Sequence, residues 1–240
     1  MIQVSDFHKS YGNTIAVEGL SFAVNAGEIL AFVGPNGAGK TTTIRTLAGI
    51  LAPTRGELIV AENNIVTHPI AAKRNLAYVP DDPKLFDSLT IWEHLQFIAS
   101  AYRLNDFQPT ATQLLEQFEL QDKRDTVAQE LSRGMRQKVA ICCAYLHNPQ
   151  VILFDEPLTG LDPRGIRTIK QSIQERAQAG AAIMISSHLL SLVEDLSTHL
   201  LILHHGRRLF VGSVEEARRQ YTDLSADASL EEIFFRVTEG

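Results

Sequence analysis

The sequence is short of several things, and each shortage narrows its reading. It has two cysteines in 240 residues, and they are adjacent, Cys142 and Cys143. Neighbouring Cα atoms lie ~3.8 Å apart, closer than the ~4.4 Å a disulfide usually spans. Neither CxxC nor Cys/His ligand spacing surrounds them, so they are expected to pack as small apolar residues in a reducing compartment. No stretch approaches the ~18 uninterrupted apolar residues of a membrane-crossing helix. The opening MIQVSDFHKSYG lacks the basic start and apolar run of a secretory signal, and a soluble cytosolic chain is the expectation. A basic surplus is also missing. Lys and Arg number 22 against 28 Asp and Glu, a net charge of −6, which argues against a general nucleic-acid binder. Gly and Pro, 15 and 9 residues, are near average usage and exclude a collagen-like or low-complexity chain. There is no internal repeat, so one set of site motifs is expected.

What is present is an α/β pattern. Ile29–Val33, Val151–Asp155, Ala182–Ser186 and Leu200–Leu203 are short apolar runs that read as buried parallel strands. Helical segments alternate with them at Thr41–Gly49, Ile91–Tyr102, Thr110–Leu120, Arg133–Leu146 and Pro163–Ala179. The last has Asp162 as N-cap, Pro163 at its first position and Gly180 at its end. Residues 1–28 and 56–79 (SFAV, GELIV, LAYV) read as a strand-and-turn layer on one edge, and 84–148 as an inserted helical segment. The expected organisation is one domain over 1–240. Its core comprises 1–83 and 149–212, its helical subdomain 84–148 and its helical tail 213–240. In that tail Ser229 and Glu232 have capping-box spacing.

Gly34-Pro35-Asn36-Gly37-Ala38-Gly39-Lys40-Thr41 fits GxxxxGK[ST], follows a strand and opens a helix. Glycines let successive backbone N–H groups turn inward onto phosphate oxygens, and the helix adds its positive end. Lys40 would place a cation on the β- and γ-phosphates, and the Thr41 hydroxyl would ligate Mg²⁺, with Thr42 next in line. The run Val151-Ile-Leu-Phe-Asp155-Glu156 is a buried strand whose acidic end reaches the crevice where open α/β sheets bind ligands. There Asp155 would hold Mg²⁺ through water and Glu156 would polarise the attacking water.

Leu131-Ser132-Arg133-Gly134-Met135-Arg136-Gln137 narrows the nucleotide-binding classes, because it resembles the LSGGQ signature of the ATP-binding-cassette (ABC) ATPases. By itself Ser132 would cap a helix, and Gly134 would leave the backbone open to a phosphate. The other stations of that family follow in order. Tyr11 matches the aromatic that stacks on adenine, Leu161-Asp162 the D-loop and His188 the switch histidine. The resemblance runs from about residue 2 to residue 237. It implies a RecA-like P-loop NTPase fold with a mixed sheet core, an N-terminal antiparallel β layer and a helical insert. It also implies ATP and Mg²⁺ as ligands, and hydrolysis by Glu156, His188 and Lys40.

Asp81 is the departure. It stands after Tyr78-Val-Pro, where the family usually has Gln, and it is expected still to sense the metal, alongside Thr41 and Asp155. The resemblance further implies a second cassette paired head-to-tail, with Ser132 and Gly134 meeting the nucleotide of the other copy. It implies a separate membrane subunit, a place on the cytoplasmic face of the cell membrane and no nucleic acid. Asp81 and the tail SLEEIFFRV are similar to those of ABC-2-type exporters. Phe86, Leu89 and Trp92 are read as lining a docking groove for a membrane subunit, with internal packing as the alternative for Leu89 and Trp92. A cassette acting on DNA is disfavoured because only 91 positions separate Lys40 from Leu131. A ribosome-acting cassette is disfavoured by the single nucleotide module, and a kinase leaves the signature and His188 unexplained.

Overall fold

The computed structural model describes residues 1–188, 190–220 and 228–239, apart from the side chains of Leu192 and Glu239. The polar stretch expected before the last helix lies, through residue 227, outside the described residues. Two sheets form the frame. In the first, β1 (Ile2–Tyr11), β2 (Thr14–Val24), β4 (Arg55–Val60) and β5 (Asn63–Asn64) run antiparallel in the order β2-β1-β4-β5. The second holds β3 (Ile29–Val33), β6 (Leu76–Val79), β7 (Val151–Asp155), β8 (Ala182–Ser187), β9 (His199–His204) and β10 (Arg207–Ser213). Their order is β10-β9-β3-β8-β7-β6, all parallel except the edge strand β10.

The second sheet is buried on both faces, which is why its strands read as unbroken apolar runs. Side chains alternate all the same. Leu30, Phe32, Val151 and Leu153 pack toward the first sheet, sharing that core with Ile44 and Leu47 of α1 (Lys40–Leu47). Ala31, Val33, Ile152 and Phe154 face the opposite core. That core is closed by α3 (Ile91–Tyr102), α5 (Arg133–Tyr145) and α6 (Pro163–Gln178), with α4 (Gln108–Gln117) beside them. Thr90 begins α3 with a complete capping box, its hydroxyl accepting from Glu93 and the Glu93 carboxylate accepting from Thr90. The cysteines lie in α5, unbridged, Cys142 buried and Cys143 half-buried. Burial pushes the Cys143 thiol up to about 12.

Three expectations change. LAYV does not belong to the edge layer: it is β6, paired in parallel with β7 and completing the central sheet. A four-residue strand carries too little alternation to say which sheet it joins. Between β5 and β6 the chain forms a helix, α2 (Pro69–Arg74), with Pro69 in its first turn. Lastly, β10 was not foreseen, because an edge strand with an exposed Arg207-Arg208-Leu209 start lacks the apolar run of its neighbours. The interval 84–148 is helical, with only an isolated bridge between Thr90 and Val127 among the described residues. After β8 come α7 (Leu190–Val193), α8 (Val214–Gln220) and α9 (Leu230–Glu239). The Ser229–Glu232 capping box begins α9, the Glu232 amide donating to Ser229 Oγ and the Ser229 amide to the Glu232 carboxylate.

Phe154 has 0% exposure and meets Tyr145 edge-on at 6.5 Å between ring centroids. Phe154→Ala is expected to lower stability by about 3–5 kcal/mol, read as a lower denaturation midpoint in urea. A midpoint equal to the parent's would contradict this packing.

Candidate active site

β3 delivers the chain to the loop 34–39, and α1 leaves it. At Gly39, the residue before α1, φ is +109° and an added Cβ would lie 2.6 Å from the Ala16 carbonyl oxygen. Only glycine fits there. Lys40 opens the helix almost fully buried, its Nζ donating to the carbonyl oxygens of Gly34 at 2.6 Å and Pro35 at 3.3 Å. Burial pushes its ammonium below the usual lysine range, while the Glu156 and Asp155 carboxylates hold it up. A phosphate oxygen is a stronger acceptor for that cation than either carbonyl.

Across the crevice, β7 ends in Asp155, 4% exposed. Its Oδ1 accepts from Ser186 Oγ at 2.6 Å and from Thr41 Oγ1 at 3.3 Å. Glu156 follows in a left-handed conformation, φ +53°, which costs about 1–2 kcal/mol for a residue with a Cβ. Its amide is anchored on Ser186, donating to both the carbonyl oxygen and the hydroxyl at 3.2 Å. That bend turns the carboxylate toward His188. The His188 amide donates to Glu156 Oε2 at 3.3 Å, and the ring Nδ1 lies 2.8 Å from the same oxygen.

These groups share a cleft of about 920 Å³, lined among others by Asn36, Gly37, Ala38, Gly39, Lys40, Thr41, Thr42, Asp81, Asp155, Glu156 and His188. Cradle and acidic strand end thus face one another, as the spacing predicts. Gly34 and Pro35 are not among its lining residues; they line a smaller cavity with His188 and Phe234 of α9. Tyr11 also lies outside the cleft lining, exposed at the end of β1 with the Lys9 ammonium 4.9 Å from its ring. Ser132, Gly134 and Asp162 stand apart from the cleft too. Ser132 caps α5, accepting from the Met135 amide at 3.3 Å, and Asp162 caps α6, accepting from Gly165 at 2.8 Å. Gly134 lies against the D-loop, where a Cβ would sit 3.2 Å from the Leu161 side chain. Asp81 lines the cleft, but its carboxylate is engaged by Arg133 at 2.9 Å.

Sequence reasoning gave no role to Ser186, Tyr78 or Arg45. Ser186 supplies a hydroxyl to Asp155 and closes the polar end of β8. Tyr78 presents a buried hydroxyl that makes no hydrogen bond of normal geometry among the described residues. Burial raises it above the usual tyrosine range, with Arg45 pulling it down and the Asp155 carboxylate adding to the rise. In sequence Ser186 and Tyr78 are members of apolar strands, and only the pairing of β6 and β8 with β7 brings them to Asp155.

The Thr41 hydroxyl and Asp155 carboxylate converge from opposite walls as hard oxygen donors, which suits a magnesium ion that keeps most of its ligands from water and phosphate. No cluster of three or more His, Cys, Asp or Glu occurs among the described residues, so this fit rests on that one pair.

A phosphate cradle facing an Asp-Glu strand end across one crevice is the construction of a P-loop nucleoside triphosphatase. The chain belongs to the ABC transporter family, which residues 17–159 match, and it is the ATP-binding, ATP-hydrolysing subunit of such a transporter. It is 31% identical to the ABC-type transporter ATP-binding protein EcsA of Bacillus subtilis, over all of this chain and 97% of that one. It is 32% identical to the SkfA peptide export ATP-binding protein SkfE of the same species, over 90% of this chain and 92% of the relative. The bacitracin transport ATP-binding protein BcrA of Bacillus licheniformis is 35% identical over 87% of this chain and 68% of its own length. A solved ATP-binding subunit of an ABC transporter superposes with a TM-score of 0.94 at 34% identity, covering 99% of both chains. No helix among the described residues is long and apolar enough to cross a membrane.

Ser186→Ala removes the shortest donor to a buried carboxylate and is expected to lower stability by about 1–3 kcal/mol. A thermal melt coincident with the parent's would show that Ser186 contributes no net hydrogen bond.

Proposed function

We propose that the chain is the ATPase of an exporter, working in a head-to-tail pair on the cytoplasmic face of the cell membrane and driving a separate membrane subunit. The observation that carries this is the division of the site. The Lys40, Asp155, Glu156 and His188 groups share one cleft, while Ser132 stands exposed and outside it. Ser132 and Gly134 do not line the cleft of their own chain, which suits them to the nucleotide of another. Export is favoured by relatives named for export, such as SkfE and the Nod factor export protein of Ralstonia nicotianae, and by Asp81 and the tail.

In this reading ATP enters the cleft, and Lys40 exchanges the carbonyls of Gly34 and Pro35 for β- and γ-phosphate oxygens. Thr41 and Asp155 would hold Mg²⁺, which when bound offsets charge on those oxygens. Glu156 holds the attacking water in line with the γ-phosphate, and His188 holds Glu156 through its amide and ring. Tyr11, exposed at the end of β1 and outside the cleft lining, is the proposed adenine platform. Pairing excludes water and completes the site, so hydrolysis waits on the second copy.

The helical segment 84–148 is the part proposed to receive the membrane subunit. A groove of about 260 Å³ there is lined by Phe86, His94, Phe97, Tyr102 and His147. Of the residues expected in it, Phe86 is exposed and in the groove. Trp92 turns inward instead, under the Arg124 guanidinium at 4.1 Å and beside Phe107, which favours the packing reading for that residue.

Glu156→Gln is expected to bind ATP, to hydrolyse it at least about 100-fold more slowly, and to accumulate as a dimer. Sedimentation at saturating Mg-ATP that finds only monomer would refute the pairing. Tagged protein isolated from membranes of its source cell is expected to bring down a polytopic membrane protein in fixed ratio, detected by mass spectrometry. Recovery with ribosomes or nucleic acid would overturn the exporter.

A further inference from the structure

Asp81 lies two residues past β6 and lines the cleft, yet its partner comes from outside. Arg133, the first residue of α5, places Nη2 2.9 Å from Asp81 Oδ1, bridging the cleft loop to the signature. The same side chain lies along Gly160, where an added Cβ would be 3.3 Å from Arg133 Nε. Arg133 therefore touches the loop after β6 and the loop before α6 at once. Its position is electrostatically awkward: a cation in the first turn of a helix meets the positive end of the macrodipole, and α5 has no acidic residue in that turn. The compensation comes from the loop. Besides Asp81, the carboxylate of Asp82 feels Arg133 and Arg136, although its own partner is Lys84.

The pair is open to exchange. The two side chains are 54% and 49% exposed, and ion pairs so placed hold weakly. A guanidinium prefers a phosphate, which offers more charge and a bidentate edge, and removing water sharpens that preference.

We propose that Arg133 is an exchangeable anion-binding side chain. Asp81 holds it in the separate subunit, and the terminal phosphate of ATP bound by a second copy takes it over on pairing. The inference rests on the head-to-tail pairing proposed above. It makes Arg133 a promoter of pairing and Asp81 its restraint, so that the two residues act with opposite sign although they form one ion pair.

The test uses the full chain carrying Glu156→Gln and follows dimer formation by sedimentation as Mg-ATP is raised. Adding Asp81→Asn is expected to lower the half-saturating ATP concentration about threefold. Adding Arg133→Ala should raise it about tenfold or more, and Arg133→Lys, which keeps a cation, should recover part of that loss. With Arg133→Ala present, Asp81→Asn should lower the concentration by clearly less than it does in the parent, because only repulsion of the triphosphate, and no side chain, remains to be relieved. If the pair only braces the loops, Asp81→Asn and Arg133→Ala will both raise the concentration, and the inference falls. It falls as well if Asp81→Asn leaves the concentration unchanged. A Glu156→Gln parent that never dimerises overturns the pairing itself, and the inference with it.

Discussion

A charged carboxylate at the end of a sheet buried on both faces is the constraint around which this molecule is arranged. β7 contributes four wholly buried apolar residues and then Asp155, whose ionised form is costly without donors. The donors come from the two elements that flank the crevice. Ser186 ends the strand beside β7, and Thr41 begins the helix that leaves the phosphate cradle. One carboxylate thereby ties β7, β8 and α1 together at the point where charge is needed. The backbone bend at Glu156 is held by the same serine, so the geometry of the second acidic residue depends on the first.

That arrangement was partly legible in sequence. Residues 34–41 could be recognised because the chemistry of wrapping backbone around phosphate demands glycine at fixed spacing, and Gly39 is held to it by the Ala16 carbonyl. Asp155 and Glu156 could be singled out because an apolar strand ending in two acids, common in itself, stands in one chain with a phosphate cradle. The central strands could be read from unbroken apolar runs because their sheet is covered on both faces. What the sequence hid were matters of partnership. LAYV carries its burial in four residues and says nothing of its neighbour, and β10 is an edge strand with an exposed start. Ser186 looks like the polar end of any strand until β8 is laid against β7.

The exposed stations follow a different physics. Ser132 and Asp162 are helix caps in the described structure, each accepting an amide of its own first turn. Capping fixes the direction of the helix and presents its N-terminal amides outward. The Ser132 hydroxyl therefore caps α5 without adding an anion to its helix end, whereas the Asp162 carboxylate supplies one at α6. The cleft has the reverse character, with cations, hydroxyls and carboxylates converging. In the proposed head-to-tail pair, the separation of these two surfaces in one chain is what calls for two.

Asp81, in place of an amide, and Arg133, where LSGGQ has its first glycine, are 52 positions apart in sequence. Each looks like a defect when taken alone. Asp81 adds an anion to a cleft that must receive a triphosphate, and Arg133 adds a cation to a helix end that is already positive. In the folded chain they meet at 2.9 Å, and each cancels the charge that makes the other unfavourable. Neutralisation at rest is compatible with use on pairing, because an exposed ion pair exchanges partners at little cost. In the proposed pair, a glycine at position 133 would leave the signature to bind phosphate through the Ser132 hydroxyl and backbone amides alone. The arginine adds a side chain, and the aspartate keeps that side chain occupied while its subunit stands alone.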